Sequence, residues 1–365
     1  MRGRHLTTLE ERTMNSNERI RVAYRKLKRL VYYDNTDLKL RLRLAEFECD
    51  TTFEEKLRQI EYVITNSDQK NSAKFRNWLK EISFRLVPKS VKKGAPNGIE
   101  NKREVRFVSN VSSAKIYEIE KVNHFFDGPI ELQMIVLLWI MKEGWRLDRQ
   151  LGSECYGSRL ESIVGQDDDK SATLYRKYHE QYSGWRDDGI RKAKHLLTIE
   201  KKNVCILGLD LQEYYYRIRV NFDDISRAVQ ETEFDEEYHD ELLLSLSTSK
   251  SALLECVHAI CQAYWLKIYP LLALTNPQLA KLEGMGLPIG LCASSLIANW
   301  YIRDFDKKVK TKIRPAYYGR YVDDMLFVVH TSENPSRDAD PVAGFVESVL
   351  VKTGLLNSLD KENNR

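Results

Sequence analysis

Residues Tyr317–Val329 read YYGRYVDDMLFVV. Aromatic and apolar residues run up to Tyr321, two acids follow at Asp323 and Asp324, and an apolar run resumes at Met325. The pattern predicts a strand over Tyr317 to Tyr321, a turn at Val322 to Asp324 and a second strand over Met325 to Val329. Adjacent carboxylates repel and raise a pKa unless cations or hydrogen bonds compensate. In isolation a DD pair is an ordinary solvated turn. At the tip of an apolar hairpin, one side chain can reach a bound cation while the other lies beside it.

A third acid has the same setting. Val204 to Leu209 (VCILGL) is a continuous apolar run ending at Asp210. Such a run predicts a central strand buried on both faces, with a rigid residue at its end. Three acids on two such elements could hold two divalent ions, which favour in-line phosphoryl transfer by neutralising the entering and leaving oxygens. An all-oxygen donor set selects Mg²⁺ or Mn²⁺ over softer metals.

Working outward, residues 1 to about 85 predict helices, with a basic amphipathic stretch at Arg19 to Leu30 and helical apolar spacing at Phe53, Leu57, Ile60 and Ile64. Val87 to Lys102, with Pro88, Gly94, Pro96 and Gly98 among lysines, predicts a loop. Short strands are expected over Val105 to Ile119, a helix from Ile130 ending at Gly144, a solvated loop around Asp167, Asp168 and Asp169, and a helix over Tyr175 to Leu197. Residues 240 to 274 predict buried helix. A Gly/Pro turn at Gly284 to Gly290 leads into an apolar helix from Ala293 to about Phe305, and Val342 to Leu350 predicts one more short helix.

The 365 residues suffice for more than one domain and a sizeable core. Nineteen Tyr and six Trp exclude wholesale disorder. The 57 basic and 53 acidic residues nearly cancel, so local clusters matter more: Arg19 to Arg29, the surroundings of Lys89, Lys92 and Lys93, and Arg303 to Arg320. Each suits a phosphate backbone or a plain solvated face. The six scattered Cys form no CxxC pair, which predicts reduced, mostly buried thiols and a cytoplasmic protein. The polar N-terminus carries no signal-peptide core, and no apolar run approaches membrane-spanning length, so no membrane partner is expected.

YVDD at Tyr321 to Asp324 resembles the polymerase motif of reverse transcriptases. LGLDLQEYYYRI (Leu207 to Ile218) resembles the family's first catalytic motif, with Asp210 followed five residues on by Tyr215. GLPIGLCASSLIAN (Gly286 to Asn299) resembles its LPQG…S…LAN segment, with Gly290, Ser294, Ala298 and Asn299 at the expected spacing. CYGSRL (Cys155 to Leu160) and LYRKYHEQYSGWRD (Leu174 to Asp187) resemble fingers elements of bacterial enzymes of the antiviral-defence and abortive-infection type, related to retron and group II intron enzymes.

The resemblance implies an α+β, right-hand polymerase fold: a helical N-terminal region over 1–90, a fingers-like region over 91–203, a palm over 204–335 and a tail over 336–365. It implies RNA-directed DNA synthesis with Mg²⁺ or Mn²⁺ on Asp210, Asp323 and Asp324. Tyr215 becomes a steric gate against the 2′-hydroxyl. Gly290 and Ser294 become nucleotide neighbours. Arg159, Arg186 and the cluster Lys307, Lys308 and Lys310 become nucleic-acid contacts, and Asn299, like Ser294, either supports the palm or touches the primer-template. Implied partners are an RNA template or structured non-coding RNA, a DNA primer or product, a dNTP and a second polymerase-like subunit. Two departures stand out. The Gln that usually precedes the motif glycine is Ile289, and the chain ends 41 residues after Asp324, where further palm strands and a thumb are expected. Untemplated or protein-primed DNA synthesis, and a catalytically weak RNA-binding module on the same fold, are the competing expectations.

Overall fold

The computed structural model describes residues 8–34, 37–65, 72–91, 119–161, 173–231, 252–331 and 341–356. The expected strands before Ile119, the acidic run at Asp167 to Asp169, Lys92 and Lys93, and residues 240–251 lie outside them. Helices α1 (Thr8–Tyr33), α2 (Leu38–Cys49), α3 (Phe53–Thr65) and α4 (Ala73–Lys80) form the N-terminal layer. In α3, Leu57, Ile60, Val63 and Ile64 all face the core, as the spacing predicts.

The next element departs from expectation. Strand β1 (Ser83–Val91) runs through Val87 and Pro88 and pairs antiparallel with β2 (Ile119–Asp127). The register shifts between Pro88 and Ser90, an irregularity that accommodates a residue without an N–H. The hairpin is clamped to the helices by buried acids. Asp127 takes Lys39 at 2.6 Å and Arg43 at 2.7 Å, while Asp37 caps α2 through Leu40 N at 2.8 Å and takes Arg85 at 2.5 Å.

Helix α5 (Ile130–Trp139) is buried along its length except at Glu131, and only Glu131 and Gln133 interrupt its apolar residues, which is the pattern of a buried helix. It does not stop at Gly144. One π turn (Ile140–Gly144) carries it into α6 (Trp145–Arg149), because Gly144 keeps ordinary helical angles and so cannot act as a terminator. Helix α7 (Tyr178–Thr198) leads to β3 (Asn203–Asp210), followed by α8 (Tyr214–Arg217), α9 (Phe222–Glu231), α10 (Ala252–Thr275), α11 (Pro277–Ala280) and α12 (Ser294–Lys308). A π turn (Val309–Ile313) precedes β4 (Tyr317–Tyr321) and β5 (Asp324–Thr331), and α13 (Pro341–Phe345) closes the described chain with a last π turn, Val346–Val351. The mixture of helix and strand is the expected α+β class.

Strands β3, β5 and β4 form an antiparallel sheet in that order. Among the described residues β3 is therefore an edge, not the central strand that its apolar run predicts, and Ile206 is half exposed. Only Leu207 of β3 is fully buried. One face of the sheet packs on Ala193 and Leu196 of α7. The other packs on Ile302, Val309, Phe345 and Leu350, so the helix expected over Val342 to Leu350 covers part of this face.

A buried ion pair holds the hairpin. Arg320 is fully buried and Asp306 is 1% exposed. Arg320 Nη2 donates to Asp306 at 2.7 Å, and Tyr318 Oη donates to the same carboxylate at 2.6 Å. Arg320 Nη1 donates to Asn299 Oδ1 and to the Val322 carbonyl, both at 2.7 Å. Arg320 thus leaves the basic surface cluster in which its position in the chain places it. Breaking a buried pair strands a charge, so Asp306→Ala should lower stability by about 3–5 kcal/mol. Glu54→Ala, which breaks an exposed pair with Arg21, should cost about 1 kcal/mol or less. Urea denaturation of the two variants measures the difference.

Candidate active site

The three acids converge through strand register. Asp210 ends β3 and lies directly opposite Asp324, the first residue of β5, and Tyr321 of β4 lies opposite Asp324 on the other side. Asp323 occupies the two-residue turn with Val322, and its carbonyl accepts from Leu211 N at 3.3 Å. The hairpin tip is thereby stitched to the end of β3.

The turn is strained. Val322 has φ +57°, a left-handed conformation that a β-branched residue rarely adopts. Such strain costs on the order of 1–3 kcal/mol and persists only when surrounding bonds over-determine it. Here Arg320 holds the Val322 carbonyl. The segment Glu154–Gly157 supports the tip from the side: Arg320 N donates to Glu154 O at 2.7 Å and Tyr156 N to Arg320 O at 2.8 Å. A Cβ on Gly157 would come within 2.8 Å of Val322 N, so only glycine fits against the turn. CYGSRL, matched to the fingers by resemblance, thus reaches the palm hairpin itself.

Electrostatics agree with the crowding. Burial, then the charges of Asp324 and Asp210, push the Asp323 carboxyl up to about 6, while Lys89 pulls it down. Burial and Asp210 raise Asp324 as well. Among the described residues no group of three or more His, Cys, Asp or Glu side chains is gathered closely enough to enclose an ion by itself. The donor set nevertheless fits a hard cation, since it is all carboxylate and its members repel without one. Lys89, on the exposed side of β1, is a neighbour that the sequence marks only as part of a basic cluster.

Of the three consecutive tyrosines, two are occupied elsewhere. Tyr214 donates to Ala298 O at 2.8 Å, and Tyr216 accepts from His124 N at 2.8 Å. Tyr215 is half-buried, and burial, then the Asp323 charge, raise its phenol. Its carbonyl accepts from Leu287 N at 2.8 Å, so the Gly286–Gly290 turn is laced to it. Gly290 has φ +89°, which explains the glycine, and its carbonyl accepts from Gln133 Nε2 at 3.1 Å. Phe126 N donates to Ile289 O at 2.7 Å, joining this turn to β2.

A family model described as reverse transcriptase (RNA-dependent DNA polymerase) matches residues 154–362, more than half of the chain. The chain belongs to the reverse transcriptase family. No curated protein matches it. The match begins at the segment that props the hairpin tip and takes in all three acids. A reverse transcriptase domain implies the right-hand fold, RNA template, DNA primer and deoxynucleotides as substrates, and the general use of Mg²⁺.

Several expected contacts sit elsewhere. Asn299 is fully buried; its amide donates to Gly157 O at 2.7 Å and its oxygen takes Arg320, so it braces the palm instead of reaching nucleic acid. Ser294 is 2% exposed at the start of α12, away from any open nucleotide surface, and its hydroxyl has no hydrogen-bond partner among the described residues. Arg159 is held by Asp148 at 2.9 Å and by the Gly152 and Cys155 carbonyls, which leaves its guanidinium no free edge. Lys310 is drawn to Glu154 at 2.8 Å, and Lys307 stands 3.5 Å from Asp304. Lys308 remains exposed, and Arg186 is exposed and paired with Asp187 at 2.8 Å.

The raised Asp323 pKa makes the folded protein bind an extra proton between about pH 4 and about 6. Without divalent cations, stability should therefore fall as pH rises through that window. Asp323→Asn should melt higher than the wild type at pH 7.5, with the gain vanishing towards pH 4. Melting in EDTA across pH checks it; an unchanged difference would mean the carboxyl is not crowded.

Proposed function

We propose that the chain is an RNA-directed DNA polymerase that joins deoxynucleotides to a 3′-hydroxyl at Asp210, Asp323 and Asp324. The observation that carries this reading is the register of β3 against β5, which sets Asp210 opposite Asp324 with Asp323 on the adjoining turn. Mg²⁺ or Mn²⁺ would be held by these carboxylates and would supply Lewis-acid activation of the attacking hydroxyl and charge neutralisation at the phosphate. The chain's own groups do the rest. Lys89, an exposed cation whose charge lowers the Asp323 carboxyl, would be the group to meet the anionic triphosphate. The Tyr215 ring, beside Asp323, crowds a ribose 2′-hydroxyl and so favours deoxynucleotides. Gln133 and Phe126 hold the Ile289–Gly290 turn that borders it. The finer assignment to bacterial antiviral defence rests on the resemblance of Cys155–Leu160 and Leu174–Asp187 alone.

Incorporation of dNTP on a DNA-primed RNA template tests the centre. Asp210→Asn and Asp323→Asn should each lower kcat at least about a thousandfold, the scale of a lost metal ligand, with the variants still folded. Wild-type rates in either variant would sink the assignment. In the same assay Tyr215→Val should raise the use of ribonucleotides relative to deoxynucleotides. An unchanged ratio in an active variant would return Tyr215 to a packing role.

A further inference from the structure

Helix α5 carries a polar side chain in an apolar setting. Gln133 is 2% exposed and sits between the buried Leu132 and Met134, with Ile135 to Trp139 buried after it. An amide in such a place costs stability unless both its ends are bonded. Both ends are. Gln133 Nε2 donates to the Gly290 carbonyl at 3.1 Å, and its Oε1 accepts from Cys292 N at 3.2 Å. One planar amide thus pairs with the backbone on both sides of Leu291, as a neighbouring strand would.

Other ties hold the same turn. Leu287 N donates to Tyr215 O at 2.8 Å, Phe126 N to Ile289 O at 2.7 Å, and Tyr175 Oη to Cys292 O at 2.5 Å. Of these ties only Gln133 reaches Gly290. From Gly286 to Ser294 every residue is buried except Ile289 and Gly290, and Gly290 is the exposed crest, at φ +89°. The side chain of Ile289 is an alkyl group. The polar groups that the crest can offer a ligand are therefore those of its backbone, and the Gln133 amide sets their direction.

We propose that Gln133 is a positioning residue for the incoming deoxynucleotide: it fixes the Gly290 crest, which Leu287 ties to Tyr215. This rests on the polymerase reading above. Gln133 is buried, so it acts through the turn and touches no substrate. The carboxylates stand on other elements, the end of β3 and the β4–β5 hairpin, and are braced by Arg320. Loss of the amide should therefore weaken nucleotide binding and spare the chemical step.

Steady-state incorporation on a primed RNA template separates the two. Gln133→Met removes both bonds at nearly constant volume. Its KM for dNTP should rise about tenfold, the scale of one or two net hydrogen bonds, with kcat within about twofold of wild type. Affinity for the primer-template, read by fluorescence anisotropy in EDTA, should not change. Met134→Ala, the next residue on the same buried helix, opens a cavity and controls for lost stability. It should melt at least as low as Gln133→Met and keep the wild-type KM. Gln133→Glu keeps an acceptor for Cys292 N but turns an oxygen towards the Gly290 carbonyl. Its KM should also rise, and it carries the comparison if Gln133→Met does not fold. A wild-type KM in either folded Gln133 variant would overturn the proposal. An equal rise in Met134→Ala would do so too, by tracing the effect to stability, and so would a loss confined to kcat. Failure of the polymerase reading is seen separately, as absence of dNTP incorporation by the wild type.

Discussion

Arg320 and Asp306 are the pair on which the palm depends. The guanidinium sits on β4, one residue before Tyr321, and the carboxylate sits on α12, so a single buried contact fixes the helix against the hairpin. Every donor of the fork is directed. Two reach Asp306, one reaches both Asn299 and the Val322 carbonyl, and Asn299 in turn holds Gly157. Arginine suits this position because its planar fork makes several charge-assisted bonds from one rigid group. A lysine would supply a charge without that geometry.

The strength of this anchor is explained by what it restrains. Val322 is held in a conformation unfavourable to its side chain, and three carboxylates are brought together against their own repulsion. Strain and like charge are local costs, and active sites commonly carry both when the surroundings are stiff. The Glu154–Gly157 segment adds backbone bonds on one side and β5 adds the ladder on the other. The tip is thus rigid before any ion or nucleotide arrives, which is the preorganisation that charge-stabilising catalysis requires.

The N-terminal layer reaches the site through the same logic. Asp37 and Asp127, both buried, bind cations from opposite elements and lock the β1–β2 hairpin to α2. From β2, Phe126 grips Ile289, and from α5, Gln133 grips Gly290. Ile289 stands in place of the family's usual Gln, and the backbone of the turn is tied by Gln133 from α5. A route of hydrogen bonds therefore runs from the first helices to the turn beside Tyr215.

By itself the sequence determined the hairpin, the three acids and the order of the motifs, because alternation, turn and charge are local properties that adjacent residues write directly. It also marked α3, α5 and α12, whose apolar spacing is a local matter too. It reads β3 as central where among the described residues β3 is an edge, since an apolar run reports that a strand is covered and not on which side its neighbours lie. It took Val87 and Pro88 for loop, because their partner strand lies beyond a long gap in the chain. Of the two readings of Asn299 and Ser294, palm support or primer-template contact, burial favours the first, while Arg320 is interior and Arg159 is tied up by Asp148, since polar residue types say nothing about which partner awaits them. Tyr178 meets Tyr321 of the hairpin, and the Lys89 charge reaches Asp323, only in three dimensions. Local pattern chooses elements, whereas partners from distant parts of the chain are chosen by packing and by the pairing of buried charge.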